Sequence, residues 1–398
     1  DADDGLISAG AVGMDINCGV RLMRTNIDYS SLNNEHLHKL IQAIGKRVPS
    51  GVGQNSKHAP LIRKHFSALL QNGVPLLIEL GFGRPEDLLN IEDNGSMPGA
   101  DVGSVSKKAI DRGLQLSTIG GGNHFIELGF IDKVYDLEAA TIFGLEQGSL
   151  TVMIHTGSRG FGHQICTDYS AEMKQTSTKY SLNIPSAGLA AVPIQSAEGK
   201  RYFGAMSCAI NFAFCNRQWI TDDVRKAFSS VLGGADQDYD LGLVYDLAHN
   251  TARFETFGGH KMLIHRKGAA RALPPGHSEN PKNYKTTSHP VLIPGSMGSA
   301  SFVIRALPAV EKIYNSVNHG AGRILSRSAA RREISVQQLK ERMAEVIISG
   351  GNFKAYLDEA PQAYKDIEQV IDTLTEIGFS QKVARLRPLA VLKGEGGD

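Results

Sequence analysis

The sequence predicts a single interleaved α+β domain, with central sheets flanked by helices and a metal site assembled from loops. Three observations predict it. Apolar residues recur at helical spacing in several long segments and as short continuous runs in several others, so both element types are present. No composition break, internal repeat or low-complexity tract divides the 398 residues. Histidines set beside glycines recur from His124 to His319, with a carboxylate and a thiol at Asp15 and Cys18, so one site must draw on most of the chain.

Taken in order, Ser31 to Val48 reads as a helix, with Leu37, Leu40, Ile41 and Ile44 on one face after a Ser/Asn-rich start. Lys57 to Gln71 follows the same spacing and stops at Asn72-Gly73. Lys107 to Leu114, Tyr202 to Val231, Val336 to Ile348 and Ala363 to Ile377 complete the predicted helices, and the second of these is long and apolar enough to be central. Leu150 to Ile154, Lys261 to Ile264, Pro290 to Ile293, Ser301 to Ile304 and Pro388 to Leu392 read as strands, which puts His155 and His265 at strand ends. The stretch from Ala272 to His289 is rich in Pro, Gly, Asn and Lys; loops of that length in a compact domain are usually functional or mobile.

A hydrophobic share of 41% and a charged share of 21% fit a globular chain; no apolar run reaches the length of a membrane span, and nothing resembles a signal peptide. Lys plus Arg is 42 against 41 for Asp plus Glu, so a nucleic acid must be held by a local patch and not by overall charge. Cys18, Cys166, Cys208 and Cys215 show no disulfide spacing, which favours a reducing cytoplasm. The last three fall at helix-like positions, where a small buried hydrophobe is the default.

His124 follows Gly120-Gly121-Gly122-Asn123, His155 opens His155-Thr156-Gly157-Ser158-Arg159-Gly160, and His319 sits in Asn318-His319-Gly320-Ala321-Gly322-Arg323. Glycine frees the backbone for tight turns and close approach to a ligand. Imidazole, thiolate and carboxylate together are a transition-metal inventory, and ligand softness alone points to zinc. His249, in Leu247-Ala248-His249-Asn250, reads on its own as a locally hydrogen-bonded residue, and His36, His38, His58 and His65 as solvent-facing. Arg159 and Arg323 each lie four residues past a glycine-set histidine, where a guanidinium fork suits phosphate, although a surface ion pair explains either equally well. Arg323, Arg327, Arg331 and Arg332 read as a solvated helix or as a track for an RNA or DNA backbone. No Walker lysine follows Gly120-Gly121-Gly122, and no Rossmann fingerprint is present; Pro294 to Ser301 could offer N–H groups and hydroxyls to a phosphate or base.

As an ordered set, Asp15-Ile16-Asn17-Cys18-Gly19, Gly121-Gly122-Asn123-His124-Phe125, the His155 to Gly160 segment, His265-Arg266-Lys267-Gly268-Ala269, Pro294-Gly295-Ser296-Met297-Gly298, the Asn318 to Arg323 segment and the closing Arg387 to Gly394 resemble the RtcB family of RNA ligases across nearly the whole chain. The resemblance implies a GTP- and Mn²⁺-dependent enzyme that joins RNA 3′-phosphate or 2′,3′-cyclic phosphate ends to 5′-hydroxyl ends, in RNA repair or tRNA splicing. It implies two metal ions bridged by Cys18, one also held by Asp15 and His124 and the other by His155 and His249. His319 matches the histidine that becomes guanylylated. Asn123, Phe125, Glu127, Ser296, Ser301, Ala321, Gly322, Tyr364 and Lys393 match positions around the nucleotide, and Arg159 and Arg323 match RNA phosphate contacts. The catalytic domain is expected over residues 1–394, with a tail at 395–398 able to disturb the pocket near Lys393. The family also carries an upstream Pro-Asp-x-His-x-Gly segment, so further residues are expected before Asp1. A di-metal phosphoesterase acting on RNA ends and a ligation-inactive, metal-stabilised RNA-binding paralogue are the competing readings.

Overall fold

The computed structural model describes residues 1–184, 186–350 and 352–395. Its centre is an eight-stranded sheet. Across it run Val291–Ile293, Ser301–Ala306, Ser380–Lys393, Phe125–Val134, Ser149–Thr156, Gly19–Asp28 and Gly242–Ala248, each antiparallel to its neighbour. Ile347–Ser349 adds a short parallel pairing to Ser380–Lys393.

Period-two alternation gives this sheet two buried faces. Val20, Leu22, Phe125, Met153 and Val244 join one core; Ile126, Leu128, Val152 and Ile154 join the other. On the second face lie helix Asn34–Arg47, through Leu37, Leu40, Ile41 and Ile44, and the C-terminal half of helix Ala197–Leu232, through Ile220, Val224 and Phe228. Each such fully buried aliphatic side chain contributes about 1.5–3 kcal/mol over exposure. The N-terminal half of the long helix packs with Ala59–Asn72 and Arg159–Thr176 into a third, mainly helical core that also takes in Ile7, Val192, Leu243 and Ala252 from strands. Among the described residues no helix is long and apolar enough to cross a membrane.

Several elements differ from the sequence reading. The first helix begins at Asn34, because the Asn33 side chain accepts from His36 N and caps it there. The Lys107 helix ends at Ile110, and the Phe66 ring lies where a side chain on Gly113 would have to go. Only Val336–Arg342 of the next predicted helix is helical; β-branched Ile347 and Ile348 pair with Ala390 and Val391 instead. The Ala363 helix starts at Ile367, capped by Asp366. The closing strand is far longer than predicted. Strands Gly19–Asp28, Phe125–Val134, Gly242–Ala248 and Asn250–Phe257 and helix Arg159–Thr176 are not among the predicted elements, although Phe161, Ile165, Tyr169 and Met173 recur four residues apart along that helix. The Ala272–His289 stretch is packed, with Leu273, Tyr284 and His289 buried and Tyr284 Oη donating to the Val244 carbonyl at 2.7 Å. His58 is not solvent-facing either: it stacks on Trp219 and lies 3.0 Å from Asp223. The expected tail falls on Glu395, which is exposed and whose carbonyl accepts from Val52 N, and on residues 396–398, which lie outside the described residues.

Candidate metal and nucleotide centre

Strand direction explains why distant residues meet. Neighbouring strands alternate in direction, so starts and ends share one edge of the sheet. Cys18 and His124 immediately precede strands there; His155, His249 and Lys393 close or follow others. The register makes this concrete: Gly19 pairs with Thr156 and Ala248, and Phe125 with His155 and Lys393.

The result is two overlapping donor groups, Asp15–Cys18–His124 and Cys18–His155–His249. Cys18 Sγ lies 3.2 Å from His124 Nε2 and 3.5 Å from His155 Nε2. His155 Nε2 is 3.4 Å from His249 Nε2, and His124 Nε2 is 3.1 Å from Asp15 Oδ2. Burial raises the Asp15 carboxyl, yet His124, His163 and Arg159 together hold it at about 2. Burial pushes His155 and His249 well below the ordinary imidazole value, so both rings are neutral, and it pushes the Cys18 thiol up. Two neutral imidazole nitrogens facing each other and a thiol have more lone pairs than protons to share. This donor set fits divalent transition-metal ions, which would also favour the thiolate.

A buried polar network holds the ligands. Arg217, on the long helix, donates to the carbonyls of Asn17 and Thr156 at 3.0 and 2.9 Å and to Asn17 Oδ1 at 3.1 Å. Its Nε also reaches Asp246 at 2.9 Å, and Arg21 meets the same carboxylate at 2.6 Å. Asn216 ties the Thr118 and Gly157 carbonyls together. Asp15 Oδ1 accepts from Ser158 N and Oγ, and His163 Nε2 stands 3.8 Å away. Arg159 adopts φ 55, unusual outside glycine, and its guanidinium Nη1 lies 3.3 Å from His124 Nδ1. The sequence reading missed Arg217, Asn216 and His163. The signal was Asn216-Arg217-Gln218 inside an apolar helix, where a charge is conspicuous.

Some of the residues matched to the nucleotide gather beside the two donor groups around a cavity of about 380 Å³, whereas Phe125, Glu127, Ser296, Ser301 and Lys393 do not line it. Asn123, His319, Ala321, Gly322, Arg323 and Tyr364 line it. His319 packs on His249 with ring centroids 4.7 Å apart, and its Nδ1 donates to the Gly268 carbonyl at 2.7 Å. A carbonyl partner requires the proton on Nδ1, which leaves the Nε2 lone pair available. Burial lowers the His319 pKa. Arg323 stacks on the Tyr364 ring and donates to Glu359 and to Tyr364 Oη, each at 3.0 Å. Arg327 and Arg331 are likewise held by Glu359 and Asp358, so these arginines lean on acids that the sequence reading did not weigh.

Phe125 meets the His155 ring edge-on at 5.5 Å. Two residues along the same strand face, Glu127 is buried, its Oε2 has no hydrogen-bond partner among the described residues, and burial raises its carboxyl to about 8. Lys393 Nζ donates to the Gly122 carbonyl at 2.6 Å, and burial lowers the ammonium to about 8. Ser296 and Ser301 are buried within their own turn, with Ser301 Oγ accepting from Gly295 N. His265 and the residues after it lie outside the cavity lining: His265 accepts from Ser8 N, Arg266 pairs with Glu255, and Lys267 donates to the Gly10 carbonyl.

A family model described as tRNA-splicing ligase RtcB matches residues 1–394. A relative named tRNA-splicing ligase RtcB in Thermococcus kodakarensis is 42% identical over 99% of this chain and 83% of its own length. One of the same name in Archaeoglobus fulgidus is also 42% identical with the same coverage. Another in Methanocaldococcus jannaschii is 43% identical over 95% of this chain, which corresponds to 40% of that longer protein. The chain belongs to the RtcB family.

Proposed function

We propose that this RtcB-family chain is an RNA ligase of RNA repair or tRNA splicing that joins a 3′-phosphate or 2′,3′-cyclic phosphate end to a 5′-hydroxyl end at the expense of GTP. The observation that carries the reading is His319 stacked on one of two donor groups that share a thiol. A neutral imidazole fixed by its Nδ1, with the Nε2 lone pair open beside the donor groups, suits a nucleophile.

Two manganese ions, held by Asp15, Cys18 and His124 and by Cys18, His155 and His249, would supply Lewis-acid charge to phosphoryl oxygens. His319 Nε2 attacks the α-phosphorus of GTP, forming a P–N bond as pyrophosphate leaves. Its guanylate then passes to an oxygen of the RNA 3′-phosphate, which frees the imidazole. The 5′-hydroxyl attacks that activated phosphorus, the new phosphodiester forms, and GMP departs. A cyclic end is first opened by water. Phosphoryl transfer asks for charge neutralisation and alignment more than covalent help, and the remaining residues supply these.

Asn123, Phe125, Ser296, Ser301, Ala321, Gly322, Tyr364 and Lys393 are the proposed nucleotide contacts. The unused oxygen of Glu127 suits the N–H edge of guanine. Arg159 and Arg323 are the proposed RNA phosphate contacts; a phosphate held by Arg159 would lie beside His124. The test is incubation with α-labelled GTP and Mn²⁺. An acid-labile protein adduct, absent from His319→Ala, is expected. Undiminished labelling of that variant would falsify the nucleophile, and turnover of cyclic phosphate ends without GTP would favour a phosphoesterase.

A further inference from the structure

We infer that Asn250 is a positioning residue that sets the spacing between the loop carrying the shared thiol and the imidazole of His319. The inference rests on the ligase reading above and adds a residue to which that reading gives no role.

His319 is placed by two contacts: its Nδ1 donates to the Gly268 carbonyl at 2.7 Å, and its ring packs on His249. Both belong to segments that meet each other, since strand Asn250–Phe257 runs antiparallel to His260–Lys267, with Asn250 facing Lys267. Gly268 follows that pairing at φ +68, and a glycine turn is soft, so its direction depends on what holds its N–H. That N–H is held twice, by the His249 carbonyl at 2.8 Å and by Asn250 Oδ1 at 2.9 Å. The other end of the same carboxamide, Nδ2, donates to the Asp15 carbonyl at 3.0 Å. One planar group therefore spans the gap from the Asp15–Cys18 loop to the turn that fixes His319. Its orientation is set by its partners, because a carbonyl accepts only from Nδ2 and an N–H donates only to Oδ1.

Main-chain bonds cross the same gap. Asn17 N donates to the Asn250 carbonyl at 2.7 Å, and His249 N to the Cys18 carbonyl at 2.9 Å. Those rungs form whatever side chain stands at 250, whereas the carboxamide rung depends on residue type. Aspartate there keeps the acceptor for Gly268 and loses the donor for Asp15; alanine loses both. Each backbone group also has a second partner, since the Asp15 carbonyl accepts from Cys18 N at 3.0 Å and Gly268 N reaches His249. Removing the rung thus loosens geometry without orphaning a buried group, and the fold should persist. Asn250 is half-buried and lines the same cavity as Cys18 and His319, so the rung lies at the reacting centre. His319 Nε2 must reach a phosphorus positioned from the donor-group side, and a misplacement of about 1 Å there costs on the order of 100-fold in rate.

The test compares the intact protein with Asn250→Ala and Asn250→Asp. In single-turnover labelling with Mn²⁺ and α-labelled GTP, the maximal rate of His319 guanylylation should fall about 10–100-fold in Asn250→Ala, with the half-saturating GTP concentration little changed. The metal-free protein gives a readout independent of turnover. In nitrogen NMR spectra of the histidine rings, with the His319 signal assigned by its loss in His319→Ala, the parent and Asn250→Asp should show the Nδ1-protonated tautomer. Asn250→Ala should show a mixture of tautomers. Unfolding temperatures of all three should agree. An unchanged rate and tautomer in Asn250→Ala overturns the inference. So does a raised GTP requirement at unchanged maximal rate, which makes Asn250 a nucleotide contact, or a rate loss matched by a lower unfolding temperature, which makes it a structural residue. A parent protein that forms no guanylate adduct overturns the ligase reading, while the tautomer comparison still decides whether Asn250 sets the His319 ring.

Discussion

The two halves of the centre are built differently. Four of the five proposed metal ligands sit at or next to strand ends, with Asp15 in the loop before Gly19, and an arginine on the longest helix fastens the backbone beside Cys18 and His155. Around His319 and Arg323 the supports are loops and short turns, although the proposed nucleotide residues Phe125, Glu127, Ser301 and Lys393 lie on strands: His319 is fixed by one carbonyl, and Arg323 and Tyr364 share a single carboxylate. Ion coordination needs donors fixed to a few tenths of an ångström before the ion arrives. A nucleotide that arrives, reacts and leaves is better served by groups that can change partners. The difference teaches that preorganisation here is unequal, stronger around the Cys18 donor groups than around His319 and Arg323.

Four substitutions, two of them paired with a companion variant, break or sharpen that contrast. Cys18→Ala removes the donor common to both groups, and Mn²⁺ binding by calorimetry should weaken by well over ~100-fold, beyond the effect of losing an outer partner; His249→Ala should spare the Asp15–Cys18–His124 group. Arg217→Met should destabilise the fold by about 3–5 kcal/mol in denaturant titration, because Asp246 and two carbonyls lose a buried partner. It should also weaken Co²⁺ binding about 10–100-fold and shift the thiolate charge-transfer band, while Arg217→Lys recovers part of both.

The third tests the nucleotide half. Glu127 has a folded value near 8 against 4.5 for an ordinary carboxyl, so the folded state holds its proton longer. Its contribution is fully present below about pH 4.5 and is lost as pH rises toward 8. Without nucleotide, the parent should lose about 2–3 kcal/mol more stability than Glu127→Gln between pH 5 and pH 7. Equal pH slopes for the two proteins would refute this. The smallest effect is expected from Gly268→Ala. Gly268 has φ +68, and an added carbon would lie 3.2 Å from the His319 ring. Guanylate formation should slow about tenfold through misplacement of the ring, with metal affinity unchanged.

Legibility in the sequence followed the same division. Asp15, Cys18, His124, His155 and His319 stood out because glycines flank chemistry-bearing residues, and the family resemblance then raised His249, which its own context had left unremarkable. The long central helix was legible from its apolar length. The sheet was read only in fragments: Gly19–Asp28 carries buried Arg21, which spoils an apolar pattern yet is satisfied by Asp246, Gln218 and Thr221. Arg217 was conspicuous as a charge in an apolar helix, but its partners Asp246, Asn17 and Thr156 were not legible, and nothing local marks Glu359.

The convergence of strand starts and ends on one edge also governs when the centre can exist. Gly19 must find both Thr156 and Ala248, and Phe125 must find Lys393, so the contacts that frame the ligands have high sequence separation. Contacts of that kind carry a large loop-closure cost and form late and slowly. An emerging chain would hold its cysteine and histidines apart until most of the sheet has zipped. The two donor groups, Asp15–Cys18–His124 and Cys18–His155–His249, are therefore products of completed folding and not of any local segment.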